Sequence, residues 1–163
     1  MRVEYRWTNG GDKDFHRFYL KTEEYYNTIV GGLQNRRAFV PYNLSESVSE
    51  VIIANISGTA VGCAGLKAYS DSDAEIKRVW VERDYRRNHI AAEMMKRIEE
   101  KARELGFRRT ILQTRLIMKD AVAFYHKQGY RQIDNYPPYD HMEGAVCFAK
   151  DLYAIKSGGQ RAD

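Results

Sequence analysis

Residues Asp73 to Leu105, DAEIKRVWVERDYRRNHIAAEMMKRIEEKAREL, place two hydrophobic periods back to back, and the junction between them constrains the fold more than any other stretch. Ile76, Val79, Trp80 and Val81 are the β-branched and aromatic residues of a strand, and Asp84 with Tyr85 marks the turn that ends it. From Ile90 the apolar residues recur at Met94, Ile98, Ala102 and Leu105, with Lys96, Arg97, Glu99, Glu100 and Lys101 between them and Gly106 as the stop. A strand that turns tightly into a helix aims the unbonded N–H groups of the first helical turn at one point, which attracts an anion. Arg86 and Arg87 add charge there, so a phosphate ester is the natural ligand. A plain helix start with solvated arginines fits the same residues, and periodicity does not separate the two.

The rest of the chain supplies a compatible order of elements. Arg2 to Trp7 alternate as a first strand, Asn9 to Gly11 break the chain, and a helical region rich in Phe15, Phe18, Tyr19, Tyr25 and Tyr26 runs from about Asp12 to Val30. Aromatics at helical spacing face a core, although tyrosine hydroxyls and Glu23 or Glu24 can line a pocket. Gly31 and Gly32 end this region, and Leu33 to Glu50 reads as irregular. Val51 to Ile56, a turn at Ser57 to Thr59, and Ala60 to Tyr69 form a hairpin, and Asp71 to Asp73 turns the chain into the opening stretch. A strand, a helix and a last pair of strands follow, and Ser157 to Asp163 is a polar tail.

A chain of 163 residues accommodates one domain, expected over residues 1–156 with a flexible tail at 157–163. A net charge of +4, from 26 Lys and Arg against 22 Asp and Glu, suits an anionic ligand but lacks the dense basic face of a nucleic-acid binder. Cys63 and Cys147 are too few for a disulfide framework or a zinc site; they read as buried free thiols, and no metal is expected. No apolar run reaches the length of a membrane span and the N-terminus lacks a signal-peptide core, so the expected location is cytoplasmic, with no membrane partner.

RRNHIA, Arg86 to Ala91, resembles the acetyl-CoA signature of the GNAT superfamily of N-acetyltransferases: Arg86 and Ala91 fit, while His89 and Arg87 stand where glycines are usual. The segments around it resemble that family in order: EIKRVWVERDYR its fourth strand and its exit, RRTILQT (Arg108 to Thr114) its fifth, AVAFYHKQGY (Ala121 to Tyr130) the helix and turn that close the acetyl-CoA site, and GAVCFAKDL (Gly144 to Leu152) its terminal strand. The resemblance covers about Val51 to Leu152. It implies an α/β (α+β) domain with a mixed, mostly antiparallel central sheet of six to seven strands flanked by helices, and a splayed parallel pair at strands 4 and 5.

The resemblance also implies roles. Pantetheine of acetyl-CoA would lie in the gap between the parallel strands and pair with backbone near Val79, Trp80 and Val81, and the pyrophosphate would meet the N–H groups of Arg87, Asn88, His89, Ile90 and Ala91 beside Arg86. Acetyl transfer to an amine needs a base, an oxyanion stabiliser and an acid for the leaving thiolate. Glu75 stands where some members supply the base, and Tyr125 where the family's tyrosine protonates the thiolate. Met118 takes the place of an asparagine common in relatives. The acceptor site would draw on Tyr25, on Arg36 and Arg37 as a carboxylate clamp, and on the loop Asn135 to His141 with Tyr139, or its acidic residues would draw a polyamine or aminoglycoside.

The expected activity is therefore acetyl-CoA-dependent N-acetylation of a primary amine on a small molecule, by direct attack in a ternary complex. Two alternatives stay open: a non-catalytic acyl-CoA-binding or regulatory domain, and a peptide or protein N-acetyltransferase with an open groove. The exposed edge of the last strands offers a route to a homodimer.

Overall fold

Two residues with left-handed backbone, Ser57 (φ 50°) and Gly58 (φ 80°), close the hairpin that the sequence places there. It joins β2 (Glu50–Ile56) to β3 (Thr59–Ala68), with Ile53 opposite Cys63 and Glu50 opposite Leu66. The computed structural model describes residues 1–30 and 47–153. Arg36, Arg37, Pro41, most of the Leu33 to Glu50 stretch and the tail from Ser157 lie outside the described residues.

Elsewhere the chain forms β1 (Glu4–Thr8), α1 (Lys13–Val30), β4 (Asp73–Val81), α2 (Ile90–Glu104), β5 (Arg109–Arg115), α3 (Lys119–Lys127), β6 (Arg131–Ile133) and β7 (Ala145–Asp151). The seven strands make one mixed sheet, as the sequence reading expects of six to seven strands, and their order is β1-β2-β3-β4-β5-β7-β6. Its described pairs run antiparallel except β4 with β5, which run parallel.

By contact density the chain divides into two units. The first holds the described residues of Met1–Lys67 with Ile76–Ile98. Asp12 caps α1, its Oδ1 accepting from the backbone N–H of Asp14 at 2.9 Å and of Phe15 at 3.2 Å, while Arg6 Nη1 donates to its other oxygen at 2.7 Å. Phe15 and Phe18 then pack with Val48, Val51, Ile53, Ala60 and Cys63, and Trp80 lies against this cluster. Ile90, Met94, Met95 and Ile98 bury the apolar stripe of α2. Gly62 on β3 permits a close approach to β4: a Cβ there would stand 2.9 Å from the carbonyl oxygen of Trp80.

The second unit holds Ala68–Glu75 and the described residues from Glu99 onward. β5 pairs with β7 along its whole length, from Arg109 opposite Asp151 to Arg115 opposite Ala145, and β7 pairs with the three residues of β6. The buried Tyr130 hydroxyl joins Thr110 Oγ1 at 2.8 Å to Glu99 Oε2 at 2.9 Å, and Lys150 Nζ donates to the second oxygen of Glu99 at 2.9 Å. This network ties the end of α2 to β5 and β7.

β4 begins three residues earlier than its apolar residues indicate. Asp73 accepts both arms of Arg109, Nε at 3.0 Å and Nη2 at 2.8 Å, and this bidentate pair fastens the polar start of β4 to β5. The parallel register runs only from Asp73–Arg109 to Glu75–Ile111, which is the short pairing expected of strands that splay. α3 stops at Lys127, and Gly129 (φ 91°) makes the expected turn toward β6. Both cysteines are free and buried.

Candidate active site

After Val81 the chain makes a short 3-10 turn at Arg83–Tyr85, extends at Arg86, and reaches α2 through two left-handed residues, Arg87 (φ 66°) and His89 (φ 61°). These are the two positions where the sequence carries large residues in place of glycine. A left-handed conformation costs a residue with a Cβ roughly 1–2 kcal/mol, and His tolerates it better than most. Left-handed residues that alternate with ordinary ones turn successive N–H groups toward one side, a concavity that binds anions. The His89 carbonyl accepts the first helical bond, from Glu93 N at 3.0 Å, so the positive end of α2 opens on the same segment.

Side chains hold the turn from outside. Asn88 Nδ2 donates to the carbonyls of Tyr85 and Arg86 at 3.1 and 3.2 Å, and Ile90 is buried beneath the first turn of the helix. Arg86 Nε donates to the Val81 carbonyl at 2.8 Å, with its guanidinium over the Trp80 ring at 4.9 Å. Arg86 therefore braces the turn, which the sequence reading did not foresee. Arg87, Asn88 and His89 are exposed and Ala91 is half-buried, so the cradle is built of backbone.

β4 has its own irregularity. Arg78 is left-handed (φ 55°) in mid-strand, an interruption that re-aims the amides of Val79 and its neighbours. Its side chain, 4% exposed, lies with Nη2 2.6 Å from Glu23 Oε1 on α1 and its guanidinium over the Tyr19 ring at 4.4 Å. Tyr25, half-exposed on the same helix, meets Trp80 edge to face at 5.8 Å. Val79 is half-buried and Val81 buried.

Glu75 is 6% exposed, which separates it from an ordinary solvated strand-end glutamate. Its Oε2 accepts a hydrogen bond of 2.6 Å from Tyr136, in the loop that joins β6 to β7. That loop is fastened again where Tyr69 Oη donates to the Pro137 carbonyl at 2.6 Å, with the Tyr69 and Tyr136 rings edge to face at 4.9 Å. Burial above all, then the charge of Glu75, holds the Tyr136 phenol far above its ordinary pKa. Burial likewise pushes the Cys147 thiol up to about 11, and leaves Cys63 higher still.

Tyr125 is half-buried on α3, its ring against Phe124, Tyr130 and Phe148 at 5.4, 6.1 and 6.3 Å. Met118 stands just before α3 and makes no side-chain cap. Tyr139, the loop tyrosine that the sequence reading assigns to the acceptor, is 1% exposed and packs edge to face on Tyr136, leaving little of its surface for a ligand. Tyr136 is the loop residue that bonds the Glu75 carboxylate. The NYPPYDH segment names both tyrosines, and no spacing rule tells which one turns inward.

A profile of the Acetyltransferase (GNAT) family matches residues 17–130. An IAA acetyltransferase from Azospirillum brasilense is 32% identical over 89 residues, 54% of this chain and 58% of that protein. A probable N-acetyltransferase camello from Xenopus tropicalis is 30% identical over 109 residues, 64% of this chain and 50% of that protein, so the chain spans about half the length of the curated relatives it matches. The fold recurs in a solved candidate acyl-CoA N-acyltransferase from Klebsiella pneumoniae, at a TM-score of 0.78 and 21% identity, covering 92% of this chain and 97% of that one. It recurs also in a GNAT family acetyltransferase from Elizabethkingia anophelis with acetyl-CoA bound, at a TM-score of 0.65 and 17% identity, covering 91% and 97%.

Proposed function

The chain belongs to the GNAT acetyltransferase family, and from that membership we propose that it transfers an acetyl group from acetyl-CoA to a primary amine on a small molecule. The observation that carries this reading is the pair of left-handed residues at the foot of α2. A cradle of backbone N–H groups at a helix start receives a pyrophosphate whatever side chains surround it, so His89 and Arg87 are compatible with coenzyme binding. In this reading the amides of β4 near Val79 and Val81 pair with pantetheine. Arg87 to Ala91 take the pyrophosphate.

The chemistry then follows from the groups available. An alkylamine is protonated at neutral pH, and Glu75 takes its proton, directly or through water. The amine nitrogen attacks the thioester carbonyl, a C–N bond forms, and the oxyanion collapses with loss of the C–S bond. Tyr125 gives its proton to the departing thiolate, the second proton of the attacking nitrogen returns to the Tyr125 phenolate by way of solvent, and Glu75 releases the first to solvent.

A small acceptor is favoured over a peptide by the loop from Asn135 to His141. It is tied to Glu75 through Tyr136 and to Tyr69 through Pro137, an arrangement suited to a closed pocket more than to an open groove. The test is calorimetric titration with acetyl-CoA, followed by thiol release against amino acids, polyamines, aminoglycosides and peptides. Binding with turnover of a small amine supports the reading. No coenzyme binding overturns it; binding without turnover, unchanged by Tyr125→Phe and Glu75→Gln, moves the chain to the non-catalytic class.

A further inference from the structure

Gln113, half-buried on β5, has its side-chain amide turned by its own strand: Nε2 donates to the Thr114 carbonyl at 2.7 Å. A carbonyl only accepts, so this bond identifies the nitrogen end of the amide and leaves the oxygen end directed elsewhere. Among the described residues that oxygen, Oε1, takes no hydrogen bond, and it is not sealed from solvent. We propose that Gln113 is a binding residue for the acceptor: Oε1 accepts an N–H of the attacking amine and orients its nitrogen. This rests on the reading of the chain as an amine N-acetyltransferase, adds to it a residue of β5, and does not depend on which group removes the proton.

Sheet register puts Gln113 on the acceptor side. Side chains alternate along β5, whose register with β7 is unbroken from Arg109 to Arg115. Thr110 turns toward Tyr130 and, through it, toward Glu99 of α2, so Ile111 and Gln113 lie on the opposite face. There Gln113 stands opposite Cys147, and Cys147 opposite Ile133 of β6; the Cβ atoms of such pairs are about 5 Å apart. A backbone hydrogen bond joins Tyr136 to the Cys147 sulfur, and Tyr136 Oη bonds Glu75, which is in register with Ile111. The loop from Asn135 to His141 thus folds over the face that carries Gln113. It is the loop assigned above to the acceptor.

An amide oxygen suits an amine that must lose a proton. It accepts an N–H without the negative charge by which a carboxylate at the same place would hold the amine as ammonium. Attack on the thioester carbonyl makes the nitrogen positive, so its remaining N–H groups become better donors, and the bond to Oε1 strengthens from bound amine to transition state. An alcohol has one hydrogen, which the base removes, and would leave Oε1 without a donor at that point. Gln113 therefore selects an amine.

The experiment is steady-state thiol release by the full chain from acetyl-CoA and the fastest amine of the acceptor panel, with calorimetric titration of the coenzyme alongside. Gln113→Met keeps an unbranched side chain of similar length and removes the oxygen. It is expected to lower kcat/KM for the amine about tenfold, mostly in kcat, while the acetyl-CoA Kd changes less than about twofold. Gln113→Glu keeps an acceptor oxygen and adds a charge that favours ammonium, so its rate on the alkaline plateau should stay within about threefold of the natural chain, with the acidic limb of the profile moved upward. Unchanged amine kinetics in Gln113→Met overturn the proposal. A loss of coenzyme affinity equal to the loss of kcat/KM overturns it too, because it would place Gln113 at the coenzyme. If Gln113→Met does not fold, Gln113→Glu decides: a plateau rate within about threefold supports the proposal, and a loss of about tenfold overturns it. No thiol release by the natural chain with any amine overturns the reading of the chain as an amine N-acetyltransferase, and this inference with it. Turnover by the natural chain that Gln113→Met leaves unchanged removes this inference alone.

Discussion

Arg78 Nη2 and Glu23 Oε1 stand 2.6 Å apart, joining the one left-handed residue of β4 to the second half of α1. The guanidinium is almost wholly buried, and Tyr19 covers one face of it. Removing one member of such a buried pair withdraws a countercharge from the other, which typically costs about 3–5 kcal/mol. Glu23→Ala is therefore expected to lower stability by about 3 kcal/mol in denaturant titration. Because the pair also fixes the irregularity of β4, acetyl-CoA affinity should fall in the same variant by more than in Glu24→Ala, its exposed neighbour.

The cradle at α2 gives an ordered series at one residue. His89→Gly relieves the left-handed backbone but enlarges the freedom of the unfolded chain, so the net gain in stability should stay under about 1 kcal/mol. His89→Val places a β-branched residue in that conformation and should lose about 1–2 kcal/mol. Thermal unfolding ranks the three, and calorimetry with acetyl-CoA should show the glycine variant binding at least as well as the natural chain. A large loss of affinity in His89→Gly would mean that the imidazole itself contacts phosphate.

Gly62 marks where β3 approaches β4 too closely for a side chain. An alanine methyl would meet the Trp80 carbonyl oxygen at 2.9 Å and Met94 Cε at 3.3 Å, and the first of these is backbone. Gly62→Ala should destabilise by about 1–3 kcal/mol, the range for overpacked interiors. Displacement of β4 at Trp80 should weaken acetyl-CoA binding as well, whereas Gly58→Ala, at an open turn, should affect stability alone.

Acid stability should depend on Asp12. Its side-chain bond to Arg6, aided by the bond from the Phe15 N–H, lowers its pKa from 3.8 to about 2. A carboxyl held below its unfolded value contributes its full stabilisation above that value, because the unfolded chain takes up the proton first as pH falls. The contribution is thus complete above about pH 5 and fades as pH falls toward about 2. Asp12→Asn should be less stable than the natural chain at pH 7, and the gap should narrow through this window in chemical denaturation series.

Much of this arrangement is legible in the sequence because it follows from local patterning. The stripe of Ile90, Met94, Ile98 and Ala102 delimits α2, Gly106 ends it with φ 92°, and the Ser57–Gly58 turn sets the hairpin. Long-range polar pairs are not legible in the same way. Asp73 with Arg109, Glu23 with Arg78 and Glu75 with Tyr136 lie 36, 55 and 61 positions apart, and each depends on sheet register that no local period encodes. The loop tyrosines meet the same obstacle: Tyr136 and Tyr139 look alike in the sequence, and only the fold shows that Tyr139 is buried and that the Tyr136 hydroxyl bonds Glu75.

A strand of only three residues, Arg131 to Ile133, forms the outer border of the sheet beside β7. Arg131, about half-exposed, is engaged by Asp151 across the strand at 3.3 Å. Three residues with a charged side chain at their head give an incoming chain about 10 Å of ladder to extend. Runaway edge-to-edge polymerisation is therefore disfavoured along that margin, and a concentrated solution of the protein should resist fibril formation from this side without help from a chaperone.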